Sequence, residues 1–209
     1  MRIGVIGAGS VGGTLGRRWA QRGHEVMFGV RNPQDPKVQK LLGESEGATA
    51  GSLAEAAAFG EVVVFATPWG DTRNALVNAG DLTGKVVFDA TNPLTSDLSG
   101  LAVGGDTSAA EQIAGWAPGA RVVKVFNTTG ANNMADPVFD EQPATMFYCG
   151  DDDEAKAVAA RLAADLGFEP IDAGPLREAR LLEQLALLWI HLAYSQKMGR
   201  SIAFKLLRR

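Results

Sequence analysis

Three observations predict an α/β fold built on a doubly wound, mostly parallel sheet. Short β-branched runs alternate with longer helical patterns along the 209 residues. Several of the runs, VVVFAT and KVVFDAT among them, are apolar throughout rather than alternating, as strands covered on both faces are. The first run ends at residue 7 in GAGSVGG, a glycine cluster that opens a helix.

Strands are expected at residues 2–7, 25–30, 61–67, 85–91, 121–127, 144–150 and 168–173. Helices are expected between them at 10–22, 52–59, 70–79, 107–116, 152–166 and 176–198. Asp152, Asp153 and Glu154 suit the positive end of the helix that follows, as a cap rather than a metal site. The irregular stretch 128–143, rich in Asn, Gly, Asp and Pro, sets the domain division. Residues 1–140 form the first domain, and residues 141–209 a smaller, helical C-terminal unit.

Composition excludes several classes of function. Apolar residues make up 46% and charged residues 21%, which argues against disorder. A net charge of −4 gives no broad attraction for phosphate backbones or anionic lipid, so neither nucleic acid nor membrane is an expected partner. The apolar stretch LALLWIHLA is far shorter than the roughly 20 residues that span a bilayer. With no apolar leader after Arg2, the expected location is cytoplasmic. Cys149 is the only cysteine and reads as a small buried residue at a strand end. No metal ligands are expected.

Gly7, Gly9 and Gly12 stand in G-x-G-x-x-G spacing between a strand and a helix. This is the Rossmann-type dinucleotide fingerprint. Gly7 permits the tight turn, Gly9 lets a pyrophosphate approach the backbone, and Gly12 lets the helix pack on the strand. Ser10 and Val11 bring the N–H groups of the helix mouth to the phosphates.

After the second strand, an NAD site would place an acid for the ribose hydroxyls, yet this chain has GVRNP. An acid would repel the 2′-phosphate of NADP, whereas Arg31 can fork onto it and the amide of Asn32 can donate to it. The missing acid therefore selects NADP(H). Thr67, Pro68 and Trp69 follow the third strand, Asn92 and Pro93 the fourth, and Asn127 and Thr128 the next. All should face the same groove, because ligands in such sheets lie beyond the carboxyl ends of the strands. Trp69 either stacks on a flat ring or caps the sheet. Asn92 either holds the cofactor or stabilises its turn. His24 lies far from this edge, and His191 reads as a packed or interface residue.

The motifs GAGSVGGTLG, GVRNP, ATPW, DATNPL, KVFN and FYCGDD, followed by LGFEPIDAGPLREARLLEQLALLWIHLA, together resemble the NADPH-dependent coenzyme F420 reductase family. They are also similar to the cytosolic reductase domain of the six-transmembrane metalloreductases. The resemblance spans nearly the whole chain. It implies an oxidoreductase moving hydride between NADP(H) and a deazaflavin, coenzyme F420, or a flavin. On that resemblance Gly7 to Gly12 match the phosphate loop, and Arg31 and Asn32 match the 2′-phosphate site. Relatives usually carry a hydroxyl residue where this chain has Val30, which removes one hydrogen bond to the phosphate. Thr67, Pro68, Asn92 and Pro93 match segments along the cofactor.

Such a reaction needs two rings held face to face and no obligatory acid or base, so no catalytic side chain is expected. The alternatives are a reductase of a small imine or carbonyl, with Tyr194, Ser195 or Lys197 as proton donor, and a non-catalytic NADPH sensor. The last helix is apolar around most of its girth, with Leu181, Leu185, Leu188 and Leu192 on one stripe. A second copy covering it would make a homodimer, with the acceptor site and dimer contact both in 141–209.

Overall fold

A computed structural model describes residues 1–209. The first half of the chain runs β1 (Arg2–Ile6), α1 (Ser10–Gln21), β2 (Glu25–Gly29), α2 (Pro36–Gly43), β3 (Thr49–Gly51), α3 (Leu53–Phe59), β4 (Val62–Phe65), α4 (Trp69–Ala79) and β5 (Val86–Asp89). It continues with α5 (Ala109–Trp116), β6 (Arg121–Lys124), α6 (Ala131–Ala135), β7 (Val138–Phe139), β8 (Gln142–Pro143), β9 (Thr145–Gly150), α7 (Asp153–Asp165), β10 (Glu169–Asp172) and α8 (Ala179–Ile190). Eight strands make one sheet in the order β10-β9-β6-β5-β4-β1-β2-β3, and β7 and β8 form a separate hairpin. The strands from β3 to β6 in that order are parallel; β9 pairs antiparallel to β6, with Val123 opposite Gly150 and Lys124 opposite Cys149. This is the doubly wound, mostly parallel Rossmann-type sheet.

Each face of the sheet carries its own core, which is why the central strands are rich in apolar residues on both faces. In β4, Val62 and Val64 join one core while Val63 and Phe65 join the other. On the first side Trp19 of α1 is fully buried, stands edge-on to Phe126 at 5.4 Å and donates its indole N–H to Leu162 of α7 at 3.1 Å. Burying such a ring is worth roughly 1.5–3 kcal/mol. On the second side Ala56, Leu76, Ile113 and Leu182 of α3, α4, α5 and α8 pack together.

Side-chain caps open α3 and α7, the one at Asp152 as expected. Ser52 and Glu55 complete a capping box on α3, and Asp152 accepts from the N–H of Ala155 at 2.8 Å to open α7. In residues 141–209, β9 and β10 fall where strands are expected and extend the same sheet as residues 1–140. Beyond the sequence reading are α2, β3, α6 and the β7-β8 hairpin. The three residues of β3 and the five of α6 are too short to carry a period. For α2, the Asp35 cap on Lys37 N and Pro36 in the first turn were a legible signal. The long helix expected to 198 is divided. A short 3₁₀ turn, Leu176–Glu178, precedes α8, and a π-helical turn, His191–Ser195, ends it. No helix is long and apolar enough to cross a membrane.

Cys149 is fully buried, and burial pushes its thiol up to about 12. Native protein at pH 8 should therefore stay unmodified by a thiol-specific reagent and react at one site only when unfolded. Stoichiometric labelling of the folded chain would contradict that burial.

Candidate cofactor groove at the carboxyl edge

The chain winds outward from β1 to β3 on one side and from β4 to β6 on the other, so the strand order reverses between β1 and β4. Loops leaving β1, β4, β5 and β6 converge beyond that point, where such sheets bind ligands. Gly7 adopts φ +104° at the start of the first of them, a backbone region that side chains rarely enter. A Cβ on Gly12 would sit 2.0 Å from the Gly7 carbonyl oxygen, so α1 can start this close to β1 only without one. A Cβ on Gly9 would meet no protein atom within 4 Å. The space beside it, at the N-terminus of α1 with Ser10 exposed and Val11 half-buried, fits an approaching pyrophosphate.

Arg31 is exposed past β2 and has no carboxylate partner. Asn32 accepts the Gln34 N–H at 3.0 Å through its side-chain oxygen, which leaves its amide nitrogen free to donate. Both are thus free to meet a phosphate. Past β4, the Thr67 hydroxyl is 3.0 Å from that of Thr72, which donates to the Pro68 carbonyl at 3.1 Å. Trp69 begins α4 and stacks on Trp116 of α5, with centroids 5.4 Å apart and planes inclined 22°. One face of its ring is thereby committed to the protein.

Asn92 and Asn127 are brought together. Asn92 Nδ2 donates to the Asn127 carbonyl at 3.0 Å, and Asn127 Nδ2 donates to Asn92 Oδ1 at 3.2 Å and to the Leu182 carbonyl at 3.1 Å. Asn92 therefore holds its turn through its amide. Asn127 is 3% exposed and its Oδ1 has no partner. Pro93 is buried beside the pair, and Thr128 is buried after it. Phe126, directly before Asn127, has φ +63°, costing roughly 1–3 kcal/mol for a residue of this kind. Its ring lies between Trp19 and Phe88. That packing holds the strained turn.

Three charges below this edge were not foreseen. Lys124, fully buried at the end of β6, places Nζ 2.8 Å from Asp89, 2.8 Å from Glu183 and 2.7 Å from the Thr91 carbonyl. Glu183 is 1% exposed and also accepts from the N–H groups of Ala109 and Ala110 at the start of α5. Burial pushes the Glu183 carboxyl up despite Lys124. Burial also works to lower Lys124, but Asp89 and Glu183 outweigh it and hold the ammonium above its ordinary range. The signal was present in the sequence as single charged residues inside the apolar runs VVFDAT, RVVKVF and LLEQLALL.

Glu183 also lies on the face of the last helix that turns inward. The inward face of α8 is Leu182, Glu183, Ala186 and Trp189, while Leu181 and Leu188 of the expected apolar stripe point outward, 64% and 46% exposed. Trp189 reaches the loop after β6, where a Cβ on Gly130 would lie 2.6 Å from its ring. With Phe139, Leu192, Met198, Ile202 and Phe204 it lines an apolar recess of about 370 Å³. Tyr194 stands edge-on to Trp189, and Ser195 and Lys197 are exposed. His191 is exposed in this single chain, with Gln196 3.1 Å from its ring, and His24 is 3.1 Å from Asp165.

A doubly wound sheet with a glycine loop at its switch point defines the class as a Rossmann-type, dinucleotide-binding fold. Residues 2–93 match the family model described as NADP oxidoreductase, coenzyme F420-dependent. The chain is 33% identical over 210 aligned residues to the F420-dependent NADP reductase of Methanothermobacter marburgensis, covering 92% of each. It belongs to this family. It is also 28% identical to the metalloreductase STEAP3 of Rattus norvegicus, of which it spans 36% of the length. A crystal structure of a candidate F420-dependent NADP-reductase from Arthrobacter sp. FB24 superposes with a TM-score of 0.90 at 34% identity, covering 99% of both chains. A reductive aminase from Aspergillus terreus shares the fold at 19% identity and a TM-score of 0.68, over 93% of this chain and 62% of its own.

Proposed function

We propose that the enzyme moves a hydride between NADP(H) and a deazaflavin such as coenzyme F420, with a flavin as the second acceptor to test. The observation that carries this reading is the apolar recess under Trp189, which borders Gly130 in the loop leaving β6. Its volume falls within the range of small-molecule sites. A flat ring seated there would lie beside the loop leaving β6, at the Asn127 end of the groove, where this reading puts the nicotinamide.

The residues present fit NADP(H). The open space at Gly9 and the N-terminus of α1 would take the pyrophosphate, Arg31 and Asn32 the 2′-phosphate, and Thr67, Pro68, Trp69, Asn92, Pro93 and Asn127 would line the rest. When bound, the nicotinamide supplies the hydride chemistry; the protein contributes proximity, orientation and exclusion of water. The recess is lined almost wholly by apolar groups, which suits orientation rather than proton transfer. The reading also places a homodimer contact on the outward stripe of α8, where Leu181 and Leu188 are exposed.

The test is the absorbance change when protein meets NADPH and oxidised coenzyme F420, with FMN as parallel acceptor and NADH as parallel donor. NADPH-dependent loss of the deazaflavin band is expected. Met198→Glu, on the exposed rim of the recess, should raise the acceptor KM about tenfold through a charge that must be desolvated, leaving NADPH affinity unchanged. Tight NADPH binding with no turnover of either acceptor would overturn the reading in favour of imine or carbonyl reduction or a sensing role.

A further inference from the structure

Asp89, Lys124 and Glu183 do more than satisfy one another. Asp89 accepts the Thr91 N–H at 2.8 Å, and Lys124 donates to the Thr91 carbonyl at 2.7 Å. The pair thus clamps both backbone groups of the residue before Asn92. Asn92 exchanges hydrogen bonds with Asn127, Asn127 donates to the Leu182 carbonyl, and Leu182 is followed by Glu183, which returns to Lys124. The circuit closes on itself across β5, β6 and α8. Its second branch, from Glu183 to the N–H groups of Ala109 and Ala110, pins the far end of the long loop that begins after Asn92.

Two carboxyl groups meet one ammonium in the interior, where a polar group left without a partner is expensive. The N–H groups at the start of α5 complete the hydrogen bonding of Glu183. A scaffold needing stability alone would do as well with apolar residues of similar volume. What the charges add is direction, because each hydrogen bond fixes a particular backbone or amide atom of the Asn92-Asn127 edge.

We propose that Asp89, Lys124 and Glu183 are positioning residues that set the Asn92-Asn127 edge, and through it the nicotinamide end of NADP(H). This rests on the reading that places the nicotinamide at that edge. The cluster touches neither cofactor nor acceptor. It acts through Thr91, Asn127 and Leu182. Its loss should therefore loosen the ring while sparing the adenosine end, which is held by Gly9 and Arg31.

The test compares Glu183→Gln with the unaltered protein for two probes, NADPH and adenosine 2′,5′-bisphosphate, which lacks the nicotinamide. Glu183→Gln should lose about half of the emission gain of bound NADPH and at least about tenfold in turnover, as expected of a misplaced reacting group. Affinity for the bisphosphate should stay within about twofold, because its anchors lie elsewhere. Asn127→Ala, which leaves all three charges in place, should reproduce the emission loss, and adding Glu183→Gln to it should change emission and turnover by less than about twofold.

Equal weakening of both probes, or independent multiplying effects in the double variant, would show a role confined to holding the fold and overturn the proposal. So would unchanged emission in Asn127→Ala. If the unaltered protein binds the bisphosphate but shows no NADPH emission gain, the placement of the nicotinamide fails and the proposal with it. Failure to bind NADPH at all would overturn the cofactor reading itself.

Discussion

Arg31→Asp is expected to invert the cofactor preference. Arg31 is exposed and carries no carboxylate partner, so its guanidinium is available to a 2′-phosphate without a competing ion pair. A hydrogen bond to a charged group is worth about 1.5–3 kcal/mol, and aspartate adds repulsion to the loss. The ratio of NADPH to NADH affinity should fall by on the order of 100-fold or more, with NADH gaining because a carboxylate can accept from free ribose hydroxyls. The melting temperature should hardly move, since surface substitutions of this kind usually stay within about 0.5 kcal/mol. Parallel fluorescence titrations of the two cofactors check this, and an unchanged ratio would remove Arg31 from the phosphate site.

Alanine at the two nearby glycines should separate ligand space from packing space. At Gly9 the backbone has φ −77° and ψ −164°, open to any residue, and the added methyl would meet no protein atom within 4 Å. Gly9→Ala should therefore keep the melting temperature within about 2 °C while NADPH affinity drops about 10- to 100-fold, because the methyl takes the space of the pyrophosphate. At Gly12 the methyl would press on the Gly7 carbonyl oxygen at 2.0 Å and approach Val5 at 3.1 Å. Overpacking of this kind costs about 1–3 kcal/mol or more, so Gly12→Ala should lower the melting temperature by about 5–10 °C and weaken binding through a displaced helix. Calorimetry beside NADPH titration reads both. Normal binding by a destabilised Gly9→Ala protein would reverse the assignment.

Much of this groove was legible because its parts are local. A glycine turn after β1, an arginine after β2 and the loops after β4, β5 and β6 each depend on a few consecutive residues, and the doubly wound topology carries them to one edge. The uniform apolarity of β4 follows from burial on both faces. The helix starts at Ser52 and Asp152 could be placed from their caps. By contrast, α8 is apolar around most of its girth, so its pattern left open which face turns inward. Hydrophobic periodicity assigns the most apolar face to the core, and here the inward face instead carries Glu183, held by Lys124 and the start of α5.

The sequence by itself determined the class of fold, the glycine loop after β1 and the sign of the charge that follows β2. These are properties of single strands and turns, dictated by backbone freedom at glycine and by the charge on one side chain. Only the tertiary structure decided that Trp69 gives a face to Trp116, that Asn92 and Asn127 lock together, and that Asp89, Lys124 and Glu183 meet beneath them. The last of these joins residues separated by as many as 94 positions, 183 less 89, across two strands and a helix. No local period can report such a meeting, because burial makes each charge depend on partners supplied by the rest of the fold.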